Sequence, residues 1–393
     1  MNLAAPDRPD PLARARAVAP AIAAAAPAID AACELPADLL DTLHAAALYR
    51  SLLPRSFGGD EARPAQFVRM MEVIAAADAS TAWCIGQNSG CSMSAAYMDP
   101  AVAQTIWGDD PRAALAWGAG PQGTAQVVPG GYLVSGRWQF ASGGRHATWI
   151  GGHSRIREPD GTLRCTPDGT PIERSMLVPK SAVTMTRDWN VMGLRGTGSD
   201  SYTMHELFVP DAHTVIRDNP ADRREKGTLY RFTTTNLYAS GFGAVSLGIA
   251  RAMLDEFTAL AAAKTPQSLS RTLRDNPAIQ KEAAIAHAKL AAARALLITT
   301  LEDIWDDVAQ TGDMSLDQRM RIRLAATFAT HQAREVADFA YHEAGATAIF
   351  AANGFERRFR DINTVSQQVQ ARSAHFETVG AHLLGLSPAL RFI

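Results

Sequence analysis

Cysteine is scarce. Cys33, Cys84, Cys91 and Cys165 are widely spaced and match no zinc-ligand pattern, which points to reduced thiols rather than a metal site. Cys84 and Cys91 lie seven apart, so a helix would put them on one face; two buried thiols explain that better than a redox pair. Charge of one sign is also missing. The formal net charge is -2 and there is no long basic run, which argues against a nucleic-acid partner. No stretch of about eighteen uninterrupted strongly apolar residues occurs, so no membrane span is expected. Asp7, Arg8 and Asp10 follow Met1-Asn-Leu too closely for a secretory leader, and the expected setting is a reducing cytoplasm. No histidine pair has metal spacing with a third ligand nearby, and no βαβ unit for a nicotinamide cofactor is visible.

What is present is apolar and periodic. Hydrophobic residues make up 47% of 393, enough for two or three packed units. Residues 1–112 read as an N-terminal helical domain, with Pro36 opening a helix and Asp78 or Ser80 capping another. From about Ala113 the period changes from 3.6 to 2, and residues 113–225 read as a β domain, a small barrel or sandwich. Residues 226–393 return to helical period, and four long patterns there predict a bundle. The fold class is mainly α with a central β domain.

The sequence is organised around Gly131-Tyr-Leu-Val-Ser-Gly-Arg-Trp-Gln-Phe-Ala-Ser-Gly-Gly144. It reads as a β-hairpin arm, with Ser135-Gly136 as its turn and a small-residue end that a flat ligand or another backbone could approach. Gly193-Leu-Arg-Gly-Thr-Gly-Ser199 follows, then Leu207-Phe-Val-Pro210. These pieces, in this order, resemble the acyl-CoA dehydrogenase superfamily, and within it the flavin-dependent monooxygenase branch. The resemblance implies an N-terminal helical domain, a middle β-barrel or sandwich, a C-terminal four-helix bundle and a homotetramer.

It also implies a flavin site. Phe140 falls where the family sets an aromatic residue against the isoalloxazine, and Ser142 where a hydroxyl meets the reactive ring edge. Trp117 and Gly118 fall on a strand whose backbone faces the flavin, and Thr197 and Ser199 on a turn that could donate to it. Arg274 resembles an arginine that reaches the flavin diphosphate of a neighbouring subunit, though a solvated loop arginine fits as well. Gly345 to Phe350 resembles the loop that closes on the dinucleotide, which favours FAD over FMN. The charges of Phe355-Glu-Arg-Arg-Phe-Arg-Asp361 are expected to form a structural ion-pair network. Trp83, Gln87, Asn88 and Tyr97 fall on the helix that borders the substrate cavity. Gln87 and Asn88 either orient substrate or form a polar face, and Gly86, Ser89, Gly90 and Ser92 would leave room for a ring.

An absence bears most on the chemistry. An acyl-CoA dehydrogenase needs a carboxylate to remove the α-proton while hydride leaves for the flavin. The family's usual loop reads Ile362-Asn-Thr-Val-Ser-Gln-Gln-Val-Gln370, without an acid, and the alternative position holds Tyr238. Glu377 is the first carboxylate beyond the loop. The monooxygenase branch often keeps histidines in this loop; Asn363 and Gln368 stand there instead. Amides cannot act as bases near neutral pH, but they can donate to oxygen bound at a reduced flavin in a dry pocket. His146, four residues after Ser142, is the histidine expected to act as an acid or base. The leading expectation is a monooxygenase that uses reduced flavin, O2 and a flavin reductase to oxygenate a small aromatic compound. The alternatives are an FAD-dependent dehydrogenase or oxidase of a CoA thioester, and a flavin-less scaffold.

Overall fold

Helix starts in this protein follow its capping chemistry. The computed structural model describes residues 8–267, 270–390 and 392–393; the reading of the first seven residues lies outside them. Asp10 accepts from the backbone N–H groups of Leu12 and Ala13 and opens α1 (Pro11–Ala32). After α2 (Ala37–Ala45) and α3 (Pro64–Ala77), buried Asp78 accepts from the Thr81 N–H at 2.7 Å and starts α4 (Ala79–Ser92). The short α5 (Pro100–Ala103) runs into one π-helical turn ending at Gly108.

Among the described residues eight strands follow: β1 (Leu115–Trp117), β2 (Gly123–Val128), β3 (Gly131–Trp138), β4 (Trp149–Arg157), β5 (Glu173–Pro179), β6 (Thr184–Thr186), β7 (Ser201–Pro210) and β8 (Thr214–Val215). Their order in one sheet is β6-β7-β3-β2-β4-β5-β8, with β1 paired to β4. The β1–β4 and β2–β4 pairs are parallel and the rest antiparallel. The expected hairpin within Gly131–Gly144 is not formed. Gly131–Trp138 is one continuous strand, and the turn lies upstream at Pro129-Gly130, where Gly130 has φ +83°. Ser135-Gly136 instead marks a register shift against β7, and the Ser135 hydroxyl accepts from the Glu206 N–H at 2.8 Å. The sheet core is built on Trp138, Tyr202, Ile150 and Met176.

The last helices are α6 (Thr234–Ala263), α7 (Pro277–Thr311), α8 (Leu316–Ala344), α9 (Gly354–Val365) and α10 (Ala374–Leu383). α6 packs against α8, α3 and α4, so it joins the two helical regions, while α9 packs against α6 and α8 and α10 against α8. Asn276 caps α7 through the Ala278 N–H. No unbroken apolar run of span length occurs, yet by length and composition alone α1, α6 and α7 are long and apolar enough to cross a membrane. Alanine raises their hydropathy without forming long unbroken runs of larger apolar residues. In α6 that character serves the core, since 89% of its most apolar window is buried inside the protein.

Candidate active site

A cavity of about 720 Å³ opens between the sheet and the helices, and most of the residues singled out from sequence meet there. Trp83 and Gln87 reach it from α4, Tyr238 and Phe242 from α6, Trp117 from β1, and Asn363 from α9. The α6 pair sits four residues apart, one helical turn, and stacks nearly parallel at 5.7 Å. Trp83 stacks on Phe242 at 3.9 Å and 10°, so the three rings form one aromatic wall.

Opposite lies the end of the arm. Phe140 takes φ +66°, an uncommon conformation for a side-chain-bearing residue, and is 53% exposed. It meets Trp189 edge-on at 5.9 Å. Behind it the hydroxyls of Ser142, Ser199 and Thr197 form a chain whose direction is fixed by chemistry. The Trp83 indole can only donate, and it does so to Ser142 Oγ at 3.1 Å. The Leu194 carbonyl can only accept, and it takes the Thr197 hydroxyl proton at 2.8 Å. Ser199 therefore donates to Thr197, and Ser142 to Ser199, each at 2.7 Å. Each hydroxyl polarises the next, and turning Ser142 toward a ligand costs one internal hydrogen bond.

Two carboxylates outside the cavity hold its walls. Asp200, gripped by Arg145 at 2.7 and 3.1 Å, accepts from the N–H groups of Asp188 and Trp189. Buried Asp361 accepts from the Leu194 N–H at 2.7 Å. Burial, and next the nearby Asp78, push the Asp361 carboxyl up to about 7. The expected ion-pair network is present: Arg358 pairs with Glu256, and Arg360 with Glu356 and Asp30. Gly193 and Gly196 are required for close approach, since a Cβ would lie 2.2 Å from the Arg360 carbonyl or 2.0 Å from Ile29. Of the three glycines in that loop only Gly198 needs a positive φ.

Several expectations are corrected. His146 does not line the cavity; its Nε2 bonds the Tyr49 hydroxyl at 3.1 Å, and burial lowers its pKa to about 3. Asn88 faces away too, donating to the Leu115 carbonyl at 2.9 Å. The Tyr97 hydroxyl donates to the Tyr230 carbonyl outside the cavity. Gly118 lines the cavity, but its N–H is already given to the Tyr202 hydroxyl, and Trp117 presents its ring. The small residues of α4 do not leave room for a ligand: a Cβ on Gly90 would lie 2.3 Å from Tyr238 and one on Gly86 2.7 Å from Met71. Asn363 is not in a loop but in α9, where its amide donates to the Phe359 carbonyl, and Gln368 caps the next turn. Glu377 is exposed on α10, away from the cavity. Arg274, Gly345 and Phe350 are exposed and line no part of it within one chain.

His153, Arg217, Phe242 and Trp189 also line the cavity, and none of them stands out as a site residue in the sequence. Only Phe242 left a signal, its one-turn spacing from Tyr238. His153 sits 4.9 Å from the Trp117 ring, with Nδ1 on the Ser175 hydroxyl at 2.7 Å. Burial, and then the Arg217 charge, hold it well below its usual pKa, so it is neutral and a weak base. Among the described residues no aspartate or glutamate lines the cavity. A flavin ring fits what is there: an apolar slot beside Phe140 and Trp189, a hydroxyl chain for its polar edge, and amides at the rim. Removal of a carbon-bound proton by a carboxylate does not fit.

Comparison with known proteins agrees with this geometry. The family described as acyl-CoA dehydrogenase, C-terminal domain, matches residues 240–372. An indole-3-acetate monooxygenase of Pseudomonas putida is 30% identical over 89% of this chain and 87% of its own. The oxygenase component of an FADH2-dependent resorcinol hydroxylase of a Rhizobium species is 26% identical over 90% and 89%. The solved structure of the HsaA monooxygenase of M. tuberculosis superposes with a TM-score of 0.88 at 24% identity, covering 98% of this chain and 99% of its own. The chain belongs to the acyl-CoA dehydrogenase superfamily and, within it, to the flavin-dependent monooxygenases.

Proposed function

We propose that this protein is the oxygenase component of a two-component system that hydroxylates a small aromatic compound. The observation that carries this reading is a cavity with a stacked aromatic wall and a chain of hydroxyl donors but no carboxylate. A reduced flavin held beside Phe140 and Ser142, replenished by a separate reductase, would supply the two electrons that let O2 give one atom to the ring and the other to water. The protein's own groups do the rest. Trp83, Phe242 and Tyr238 stack on the ring and exclude water. Ser142 and Gln368 offer donors where charge develops on oxygen. With only neutral His153 as a base, the cavity suits a ring reactive without prior deprotonation. The related enzymes that act on indole-3-acetate and resorcinol support a one- or two-ring substrate.

FAD is the favoured flavin, in keeping with the FADH2-dependent relative and with the resemblance of Gly345–Phe350 to a dinucleotide-closing loop. A homotetramer would let Arg274, Gly345 and Phe350 reach a neighbour's cofactor. Their exposure and distance from their own cavity support that arrangement. The test is anaerobic reduction of the flavin-loaded protein, then mixing with isotopically heavy oxygen and indole-3-acetate, resorcinol or the CoA thioester of indole-3-acetate. Heavy oxygen in a ring product is expected. Oxidised flavin bleached by the CoA ester in a parallel anaerobic mixing, with no labelled product from the reduced enzyme, would overturn the reading.

A further inference from the structure

Hydroxylation accounts for the rings and hydroxyls of the cavity but leaves two arginines without a task, the exposed Arg372 at its rim and Arg217. Arg217 follows β8 and lines the cavity together with Trp117, His153 and Tyr238. Its guanidinium carbon lies 5.2 Å from the centre of the Trp117 ring. Among the described residues it makes no ion pair and no hydrogen bond. The arginines that hold the neighbouring walls, Arg145, Arg358 and Arg360, all have carboxylate partners. The adjacent Asp218 does not neutralise Arg217 by contact. Its oxygens accept from the Thr234 N–H, both at 3.0 Å, and from the Thr234 hydroxyl at 2.8 Å, at the start of α6.

An arginine held over an aromatic face by cation–π attraction, without a carboxylate in contact, keeps its N–H fork unspent. That is the geometry that grips a planar anion in two parallel hydrogen bonds. Arg217 also stands close to the aromatic wall. Its charge reaches the Tyr238 hydroxyl and His153, both of which line the same cavity. Around it the lining is otherwise uncharged except for Arg372, so an acid entering here meets no carboxylate on the cavity wall; the nearest anion is buried Asp218 behind it, which feels the Arg217 charge but spends its oxygens on Thr234.

We propose that Arg217 anchors a carboxylate on the side chain of the substrate, so that the cavity selects small aromatic acids over neutral rings. The ring then lies against Trp83, Phe242 and Tyr238 while its acidic side chain is held at Trp117. The proposal rests on the oxygenase reading for the ring being the substrate, but its test does not use oxygen. Calorimetric titration of the flavin-loaded protein would compare indole-3-acetate with indole-3-acetamide, and phenylacetate with phenylacetamide. Each pair shares its ring and differs in charge.

The acid of each pair is expected to bind about tenfold or more tightly than its amide, the size of one charge-assisted contact. Arg217→Gln should bring that ratio to about one by weakening the acid alone, and Arg217→Lys should keep part of it. Equal weakening of acid and amide would overturn the proposal in favour of a packing role over Trp117. Loss of flavin affinity at unchanged acid preference would assign Arg217 to the cofactor instead. A wild-type protein that shows no acid preference on either ring, or binds neither acid, would also overturn it. Labelled product with no acid preference would leave the oxygenase reading standing and remove this one. Acid preference without labelled product would do the reverse.

Discussion

At the scale of the residue, Ser142 is the link whose loss reads out most directly. It accepts from Trp83 and donates to Ser199, so Ser142→Ala leaves an indole N–H and a hydroxyl oxygen unmatched in a buried place. Flavin affinity should fall about tenfold, on the order of 1–2 kcal/mol, with a shift in flavin absorbance. An unchanged spectrum and affinity would remove Ser142 from the cofactor site. Gly90 makes a second case. Gly90→Ala drives a methyl to within 2.3 Å of the Tyr238 ring, and overpacking of this kind costs about 1–3 kcal/mol. The melting temperature should fall and binding of aromatic acids should weaken together, because Tyr238 would be pushed from its stack on Phe242. A drop in stability with ligand affinity intact would show that the wall tolerates the shift. Ser142 and Phe140 could be found from sequence because a local motif carries them. Arg217 and His153 could not, because a lone arginine and a lone histidine acquire meaning only when the fold brings both beside Trp117.

At the scale of the element, α9 works as a strut for the loop that lines the cavity. Its Asp361 holds the Leu194 N–H, and the facing ionisable groups are Asp78, Arg357 and Arg360. Raised from 3.8 to about 7, this carboxyl binds its proton more tightly in the folded protein than in the unfolded chain. Its contribution to stability is therefore full below pH 4 and is lost as the pH rises through about 7. Asp361→Asn keeps an acceptor for Leu194 but cannot ionise. Chemical denaturation across that window should show a flatter pH dependence than wild type, and greater relative stability at pH 8. An identical slope in the variant would place the titration on Asp78. The charged pattern of this segment is legible in the sequence, but Ile362 to Val365 read there as loop and belong to the helix. Nothing in Ile362-Asn-Thr-Val signals continuation, and it is packing of Phe355, Ile362 and Val365 in the core that extends the turn. The order of helices, sheet and helices was legible because period and turn residues are local. The strand order was not, since the parallel pairing of β2 with β4 joins segments separated by β3.

At the scale of the whole molecule, the most exposed large apolar side chains among the described residues fall in two places. Ile349 and Phe350 are 62% and 60% exposed beside Gly345, and Leu383, Leu384 and Leu386 are 68%, 81% and 64% exposed at the end of α10. Contiguous bare apolar surface of this sort marks an interface more often than a free face. The two places predict different consequences in a homotetramer. Phe350 belongs to the segment that would meet a neighbour's dinucleotide, whereas the α10 leucines have no cofactor role. Phe350→Ser should therefore weaken assembly and flavin affinity together, and Leu384→Ser should weaken assembly alone. Sedimentation velocity would give the oligomeric state, and flavin titration of the same samples over a range of protein concentrations would give the coupling. If the cofactor site is completed across subunits, flavin affinity falls in step with dissociation on dilution, in wild type as in the variants. A wild-type protein that binds flavin equally well as monomer and oligomer would sink that arrangement, and so would a Phe350→Ser variant that assembles less yet binds flavin unchanged. In either case the cavity of a single chain would have to hold the whole cofactor.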